Sequence, residues 1–216
     1  MIHSHILSGA FLLIILVTIS IIPASASVIN MSKDNAGAIK FYNLAVDKAT
    51  AGKFEEAVNL TDQALSLQPN FTLALVTRTG VLLELDRFEE ANRSLNAALN
   101  LEPEDTAVLT AAASYNLRTG QFTNAIRYAD AVLDKDPQVI EAWIIKGTAH
   151  GELGEYQEEF NASTRALLIA PDNPELQTNL KYASSRMESG KKTPLSLATI
   201  LVSLTAGILL LQMRRS

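Results

Sequence analysis

Paired carboxylates are the side chains of this chain whose type and spacing could support acid–base catalysis or metal binding. Three of these pairs consist of two glutamates: Glu55-Glu56, Glu89-Glu90 and Glu158-Glu159. Each pair lies just after an aromatic residue at the start of a segment with helical spacing. Carboxylates in the first turn of a helix are stabilised by the helix dipole. We therefore predict that these pairs help to start helices and that they are neither catalytic nor metal-binding.

Histidines, cysteines and short motifs do not indicate a catalytic site either. Two of the three histidines, His3 and His5, lie in an apolar N-terminal segment, and His150 lies in a predicted helix. Cysteine is absent from the sequence, which excludes disulfides, zinc–thiolate sites and cysteine nucleophiles. No metalloprotease, nucleophile-elbow or dinucleotide-binding motif occurs. The sequence predicts a protein that is not an enzyme, with no catalytic residue, metal or cofactor.

The charge distribution argues against nucleic acid as a partner. All 23 acidic residues lie between Asp34 and Glu188, and the formal net charge of the chain is −5. Binding to nucleic-acid phosphates needs a basic surface. We therefore expect an acidic, solvated middle domain and no nucleic-acid partner.

A period of 34 residues organises the middle of the chain. Prolines keep this step, and so do one aromatic residue and one turn residue of each unit. The three sets are Pro69, Pro103, Pro137 and Pro171; Phe54, Phe88, Phe122 and Tyr156; and Gly52, Asp86, Gly120 and Gly154. Self-similarity of this kind is typical of stacked supersecondary units. Because proline ends a helix, the pattern predicts four helix–turn–helix units.

These motifs resemble those of the tetratricopeptide repeat (TPR) family. The best-matched unit contains Trp143, Gly147, Gly154, Tyr156, Ala166 and Pro171. The resemblance implies an all-α fold, a right-handed α-solenoid of about four units. The repeat domain is predicted at 36–171, and the approximate spans of its units are 38–71, 72–105, 106–139 and 140–173. The segment 174–188 keeps helical spacing with polar residues elsewhere, and we expect it to form a capping helix.

Three residues depart from the pattern of that family. Arg78 and Lys146 occupy a position that is usually apolar. Glu159 replaces a small residue at which the two helices of a unit approach each other closely. We expect Glu159 either to loosen the packing of the last unit or to shift its helix so that the carboxylate reaches water.

In the TPR family the first helices of the units line a concave face that selects the ligand. The resemblance therefore implies a groove that binds another protein as an amphipathic helix or an extended apolar peptide. Some family members bind a peptide carboxylate with Lys and Asn, but Tyr42 and Val46 stand at those positions, so we expect no chaperone peptide of that type. Alternatively, flanking segments of this chain or the curvature of the array partly fill the face. The candidate groove residues are Ile39, Tyr42, Val46, Leu73, Val76, Leu83, Ala107, Thr110, Ser114, Leu117, Arg118, Glu141, Ile144 and Thr148.

Two uncharged apolar runs flank the repeat domain. Residues 6–22 precede Pro23 and the small-residue site 24–26, which predicts a signal peptide at 1–26 or, alternatively, a retained N-terminal anchor. Residues 27–35 are a predicted linker. The run at 193–213 is long enough for a transmembrane helix, with a tether at 189–192 and a basic cytoplasmic tail at 214–216. A sorting signal of the kind that is cleaved from some prokaryotic surface proteins is a further alternative for this end.

Sequons favour a repeat domain that lies outside the cytoplasm. The five candidate glycosylation sites are Asn30, Asn59, Asn70, Asn92 and Asn161. We predict a single-pass, membrane-tethered scaffold whose partner is an unidentified protein of the membrane or the envelope. One alternative is a cytoplasmic repeat domain held by two retained spans. Another is a structural component of a prokaryotic cell envelope or surface layer that associates with itself.

Overall fold

The computed structural model describes residues 33–191, and this part of the chain consists of α-helices and short turns, without β-strands. None of its helices is both long and apolar enough to cross a lipid bilayer. The predicted signal peptide or anchor, the sequon at Asn30, the predicted transmembrane helix and the basic tail lie outside the described residues. The helices are α1 (Lys33–Thr50), α2 (Phe54–Leu67), α3 (Thr72–Glu84), α4 (Phe88–Leu101), α5 (Thr106–Arg118), α6 (Phe122–Lys135), α7 (Ile140–Glu152), α8 (Tyr156–Ile169) and α9 (Pro174–Lys191).

The helices stack as an α-solenoid. Each unit is a pair of packed helices, α1 with α2, α3 with α4, α5 with α6 and α7 with α8, and α9 packs against α8. The first helices of neighbouring units also contact each other, α1 with α3, α3 with α5 and α5 with α7. The first helices therefore form one continuous layer along the solenoid.

A residue with left-handed backbone geometry separates the two helices of every unit. In each turn, the residue that follows it donates its backbone N–H to the carbonyl group five residues earlier, as Gln121 does to Asn116 at 2.8 Å. This bond caps the first helix and determines where the second helix begins. The left-handed residues have φ between 55° and 80°, and they are the four predicted turn residues, Gly52, Asp86, Gly120 and Gly154. The second helices begin at the four predicted aromatic residues, Phe54, Phe88, Phe122 and Tyr156.

Small residues allow the two helices of a unit to pack closely. Ala57, Ala91 and Ala125 occupy one repeat position on the second helices, and all three are fully buried. Two helices come close only where no bulky side chain lies between them. Large side chains such as Leu82 and Ile145 are also fully buried, and they fill the clusters that join neighbouring helices.

Glu159 occupies the same repeat position in the last unit, and the fold makes room for it. Its side chain lies against Gly151 of α7, where an added Cβ atom would come within 2.7 Å of the Glu159 Cδ atom. Arg186 of α9 lies 3.5 Å from Glu159 Oε1 and donates a hydrogen bond of 2.5 Å to the Gly151 carbonyl. Burial raises the pKa of Glu159, while Arg186 lowers it. The expectation that this carboxylate reaches water is wrong, because Glu159 is only 6% exposed and is paired inside the protein.

The two cations at the usually apolar position make equivalent ion pairs. Arg78 Nε in α3 lies 2.7 Å from Asp62 Oδ1 in α2, and Lys146 Nζ in α7 lies 2.7 Å from Asp130 Oδ1 in α6. In both pairs the aspartate comes 16 residues before the cation. Arg78 also donates a hydrogen bond of 2.6 Å to Ser94 Oγ in α4. Each pair therefore joins the first helix of a unit to the second helix of the unit before it.

Candidate peptide-binding groove

A cavity of about 310 Å³ lies in the layer of first helices, near the middle of the solenoid. Its walls come from α3 and α5, which pack directly against each other. The turn between α6 and α7 and the first turn of α7 close one end. We refer to this cavity as the groove. It is assembled from three successive units, so no unit could form it alone.

The structure brings seven of the sequence-predicted residues together in the groove. Those on α3 are apolar and those on α5 are small or carry a hydroxyl group, whereas α7 contributes an acid. They are Leu73, Val76, Leu83, Ala107, Thr110, Ser114 and Glu141. The groove thus has one apolar wall and one wall with hydrogen-bonding capacity.

Some lining residues were not indicated by the resemblance. Two of them lie on α3, two on α5 and three in the turns that precede α5 and α7: Thr79, Gly80, Thr106, Ala111, Asp105, Asp136 and Val139. The turn residues escaped prediction because only helix positions were mapped onto the concave face. Asp105, Asp136 and Val139 come just before the first helices of two neighbouring units, so they lie at the same edge of the layer of first helices.

The other predicted groove residues lie outside the cavity. Tyr42 is 6% exposed, and its ring lies 5.0 Å from that of Phe71 between centroids. Leu117 belongs to the buried cluster that joins α5, α6 and α7. First helices contact each other across units, so side chains on their shared face are covered at those contacts. The half-buried residues of this set, which do not line the cavity, are Ile39, Val46, Ile144 and Thr148.

Arg118, predicted to be the groove-side cation, is bound within the protein. Its Nη2 atom donates hydrogen bonds to the Leu83 carbonyl at 2.8 Å and to Asp86 Oδ1 at 2.9 Å. Its Nη1 atom lies 3.5 Å from Glu84 Oε1. Because the last carbonyl groups of a helix lack partners within the helix, a guanidinium group there acts as a cap. Arg118 therefore joins the end of α5 to the end of α3 and is not free to bind a ligand.

Backbone hydrogen bonds hold the acidic end of the groove in place. Asp105 Oδ1 accepts hydrogen bonds from two backbone N–H groups of α5 at 2.9 and 3.0 Å, as an N-terminal cap. Asp136 Oδ1 accepts a hydrogen bond of 2.8 Å from a backbone N–H of its own turn. Trp143 Nε1 donates to the Pro137 carbonyl at 3.0 Å. The Asp105 bonds cap α5, and the bonds of Asp136 and Trp143 fix the turn before α7, so this end of the groove is formed without a ligand.

Glu141 places a buried carboxyl group in the groove. The residue is 2% exposed, and Ser114 Oγ donates a hydrogen bond of 3.4 Å to its Oε1 atom. Its Oε2 atom makes no hydrogen bond within residues 33–191. Burial raises the pKa of Glu141 from 4.5 to about 8, although the bond from Ser114 lowers it. The carboxyl group is therefore mostly protonated at pH 7, and strongly shifted groups of this kind often mark functional sites.

Four predicted glycosylation sites lie on the described surface. Asn70 is in the turn between α2 and α3, and Asn59, Asn92 and Asn161 are on second helices, all of them exposed. Their exposure leaves room for glycans, and their modification stays a prediction. Within residues 33–191, no group of three or more metal-binding side chains is placed to hold an ion.

Comparison with known proteins identifies the family of the repeat region. One family model described as a tetratricopeptide repeat matches residues 48–115, and a second matches residues 110–174. The two matches together cover more than half of the chain. No curated protein sequence matches this chain.

Solved structures share the fold at low sequence identity. TTC0263, a thermophilic TPR protein of Thermus thermophilus, has a TM-score of 0.62 and 15% identity, with coverage of 80% of this chain and 99% of that chain. MamA from Desulfovibrio magneticus RS-1 has a TM-score of 0.56 and 17% identity, over 75% and 96% of the two chains. YrrB, a TPR protein with an unusual peptide-binding site, has a TM-score of 0.52 and 18% identity, over 70% and 78%. The repeat matches and the shared fold show that this chain belongs to the tetratricopeptide repeat family, whose helical solenoids are protein–protein interaction scaffolds.

Proposed function

We propose that this chain is a membrane-tethered scaffold that binds a segment of another protein in the groove, outside the cytoplasm. The observation that supports binding most directly is the preformed cavity on the layer of first helices. Its apolar wall, with Leu73 and Val76, offers surface for burial, and the capped turn at its other end keeps its shape. YrrB, which has a similar fold, is described as having an unusual peptide-binding site.

The size of the cavity favours an extended segment over a whole helix. A volume of about 310 Å³ is at the lower end of the range of about 300 to 1,000 Å³ that is usual for ligand pockets. Such a space accommodates one or two side chains. A few anchor residues that fill desolvated pockets supply most of the binding energy in many protein interfaces. We therefore expect an extended partner segment with a single deeply inserted side chain.

Leu73→Asp tests the groove as the binding site. The substitution places a carboxylate on the apolar wall, and it should weaken the binding of groove ligands by tenfold or more, because the charge resists desolvation. Leu73 is preferable to Val76 because Val76 is only 3% exposed and its replacement by Asp would disturb the fold. Leu168→Asp is the matched control, since Leu168 is 68% exposed on α8, outside the groove.

The assay uses the full-length chain in detergent micelles and a displayed library of random heptapeptides. Peptides selected on the wild-type chain are tested on both variants, and circular dichroism checks that the helices are retained. Loss of binding on Leu73→Asp with retention on Leu168→Asp supports the proposal. Equal binding to the wild-type chain, Leu73→Asp and Leu168→Asp would refute the proposal. Failure to select any peptide, together with sedimentation of the chain as a large oligomer, would instead favour a self-associating structural component.

The membrane tether rests on the sequence of the two ends. The apolar run at 193–213 has Lys191 and Lys192 before it and Arg214 and Arg215 after it, which suits a span with charged ends. A tether of this kind raises the effective concentration of a weak binder beside a membrane partner, without new contacts. The leader and the sequons support an outer location of the repeat domain.

Protease treatment of intact cells tests this topology. Digestion of the repeat domain, together with a mature N-terminus at Ser27, is the expected result for a cleaved leader and an outer domain. Protection of the domain with an intact Met1 would contradict it and would favour two retained spans with a cytoplasmic groove. Attachment of glycans at Asn70 or Asn92 would independently exclude the cytoplasmic arrangement.

A further inference from the structure

We propose that the groove selects a lysine side chain, whose ammonium group binds the Glu141 carboxylate. This inference rests on the proposed function, because it names the side chain that the bound segment inserts. It follows from the geometry of the buried end of the groove, where a carboxyl group lines a cavity and has no cationic partner within residues 33–191.

Two other glutamates show how this fold compensates a buried carboxylate. The Glu84 side chain is 6% exposed and lies 3.5 Å from Arg118, and the Glu159 side chain is 8% exposed and lies 3.5 Å from Arg186. Glu141 is at least as deeply buried, at 2%, yet its single polar contact in the described part of the chain is the Ser114 hydroxyl group. Buried charges in proteins are normally paired. Arg118 of α5 and Arg186 of α9 supply the cations for Glu84 and Glu159. No such cation accompanies Glu141 in the described part of the chain, and its carboxyl group lines the cavity.

The lining of the groove matches both parts of a lysine side chain. An ammonium group has three donors and no acceptor, so it needs several acceptor atoms close together. Glu141 provides a carboxylate, and Ser114 and Thr110 line the same cavity with hydroxyl groups. Ser114 donates its proton to Glu141, and Thr110 donates its own to a backbone carbonyl at 2.7 Å, so both oxygens keep lone pairs to accept with. The aliphatic stem of lysine would pack on the apolar wall that includes Leu73.

The charged groups around the groove also favour a cation. Asp105 and Asp136 are the other ionisable lining residues, and both are acidic. None of the Lys and Arg residues of α3, α5, α6 and α7 is among the lining residues. Four of them are held in ion pairs, Arg78, Arg118, Lys135 and Lys146, and Arg127 lies over the Tyr128 ring. Among the described residues, α8 contributes no side chain to the lining. A cationic ligand therefore meets attraction from each charged group that faces the cavity.

Binding of lysine at this site releases a proton. Without ligand the carboxyl group has a pKa of about 8, and a nearby ammonium group favours the ionised form. The Glu141 proton passes to solvent, while the ammonium group keeps its protons. Below about pH 8 the affinity should rise by up to about tenfold per pH unit, and it should level off above that pH. Lysine itself stays protonated throughout this range.

Norleucine substitution in a groove ligand provides the test, with the full-length chain in detergent micelles. The probes are library heptapeptides that bind the wild-type chain and Leu168→Asp but not Leu73→Asp. We expect lysine at one position of these peptides. Replacing it with norleucine, which keeps the aliphatic stem and removes the charged head, should weaken binding at pH 8 by tenfold or more. Glu141→Gln should weaken the lysine peptide equally and leave the norleucine peptide unchanged.

The outcomes separate this inference from the function on which it rests. Equal affinity of the lysine and norleucine peptides overturns lysine selection, while sensitivity to Leu73→Asp keeps the groove as the binding site. A requirement for arginine instead, or a lysine preference that survives Glu141→Gln, overturns it as well. Absence of any peptide that is sensitive to Leu73→Asp overturns both proposals. The norleucine comparison changes only the peptide, so it gives a decision even where a protein variant misfolds.

Discussion

Glu141→Gln is expected to stabilise the solenoid at neutral pH and to remove part of its pH dependence. The buried carboxyl group has a pKa of about 8 in the folded protein, against an ordinary value of 4.5. Between these pH values the folded protein holds a proton that the unfolded chain has released. The contribution of this group is therefore fully present below about pH 4.5, and it is lost as the pH rises to about 8. Glutamine is neutral at every pH and keeps an acceptor for Ser114 Oγ.

The size of the effect follows from the difference in pKa between the two states. Each pH unit inside the window lowers the free energy of unfolding by about 1.4 kcal/mol. Glu141 therefore costs the wild-type protein about 3 kcal/mol at pH 7 relative to pH 4.5. The loss stops near pH 8, where the folded protein also releases the proton. An effect of this size is a large fraction of the stability of an ordinary domain, which is about 5 to 15 kcal/mol.

Urea unfolding of the full-length chain in detergent micelles measures this difference. Trp143 is the single tryptophan of the sequence, and it lies on α7 two residues after Glu141, so its fluorescence reports on the unit concerned. The difference in unfolding free energy between Glu141→Gln and the wild type should grow by about 1 kcal/mol per pH unit from pH 5 to pH 8. Other ionisable groups contribute to both proteins and cancel in the difference.

Glu104→Gln is the matched control, because the Glu104 side chain is 85% exposed in the turn before α5. It should leave the stability and its pH dependence almost unchanged, since an exposed ion pair contributes little. A constant difference between Glu141→Gln and the wild type across this pH range would refute the reasoning. So would a variant that is less stable than the wild type at pH 7, because the carboxylate would then be compensated by a partner in the folded protein.

Two further predictions concern the turns and the last unit. Gly120→Ala should lower the free energy of unfolding by about 1 kcal/mol in the same urea assay. Gly120 has φ of 75°, and an added Cβ meets no atom within 4 Å, so the cost comes only from the left-handed backbone conformation. An unchanged stability would contradict this. Arg186→Leu should cost on the order of 2 kcal/mol, because it leaves the buried Glu159 carboxylate without its cation. The double variant with Glu159→Ala should recover part of that loss, and a loss in the double variant equal to the sum of the losses in Arg186→Leu and Glu159→Ala would show that the pair is not coupled.

The helices of this chain could be predicted because their boundaries are set locally. The left-handed turn residue and the backbone hydrogen bond that caps the first helix involve only about six consecutive residues. A sequence that repeats every 34 residues therefore repeats the turn as well. Asp86 has φ of 55° in the place of a glycine, which shows that the turn geometry is what repeats. Aspartate tolerates this conformation better than most residues.

The groove could be predicted only in part, because it depends on contacts between units. Tyr42, Val76 and Thr110 occupy one repeat position on the first helices. Val76 and Thr110 line the cavity, whereas the Tyr42 ring packs against Phe71. The 34-residue repeat predicts that all three side chains lie on the same face of their helices. Whether a cavity forms beside each of them depends on the size of the side chain and on its neighbours. For the same reason the pattern did not indicate that Arg118 is used as a helix cap.

Departures from the period carry information that the period itself does not. Arg78 and Lys146 break an apolar position, and each has an aspartate 16 residues earlier, so the sequence alone contains the signal for both ion pairs. Glu141 breaks a position where the other units have apolar residues, and no equivalent partner accompanies it in the described part of the chain. A buried carboxyl group that lacks a cationic partner lowers the stability of the fold at neutral pH. Its position in the lining of the groove therefore points to a role in binding, where a cation from the partner would supply the missing pair.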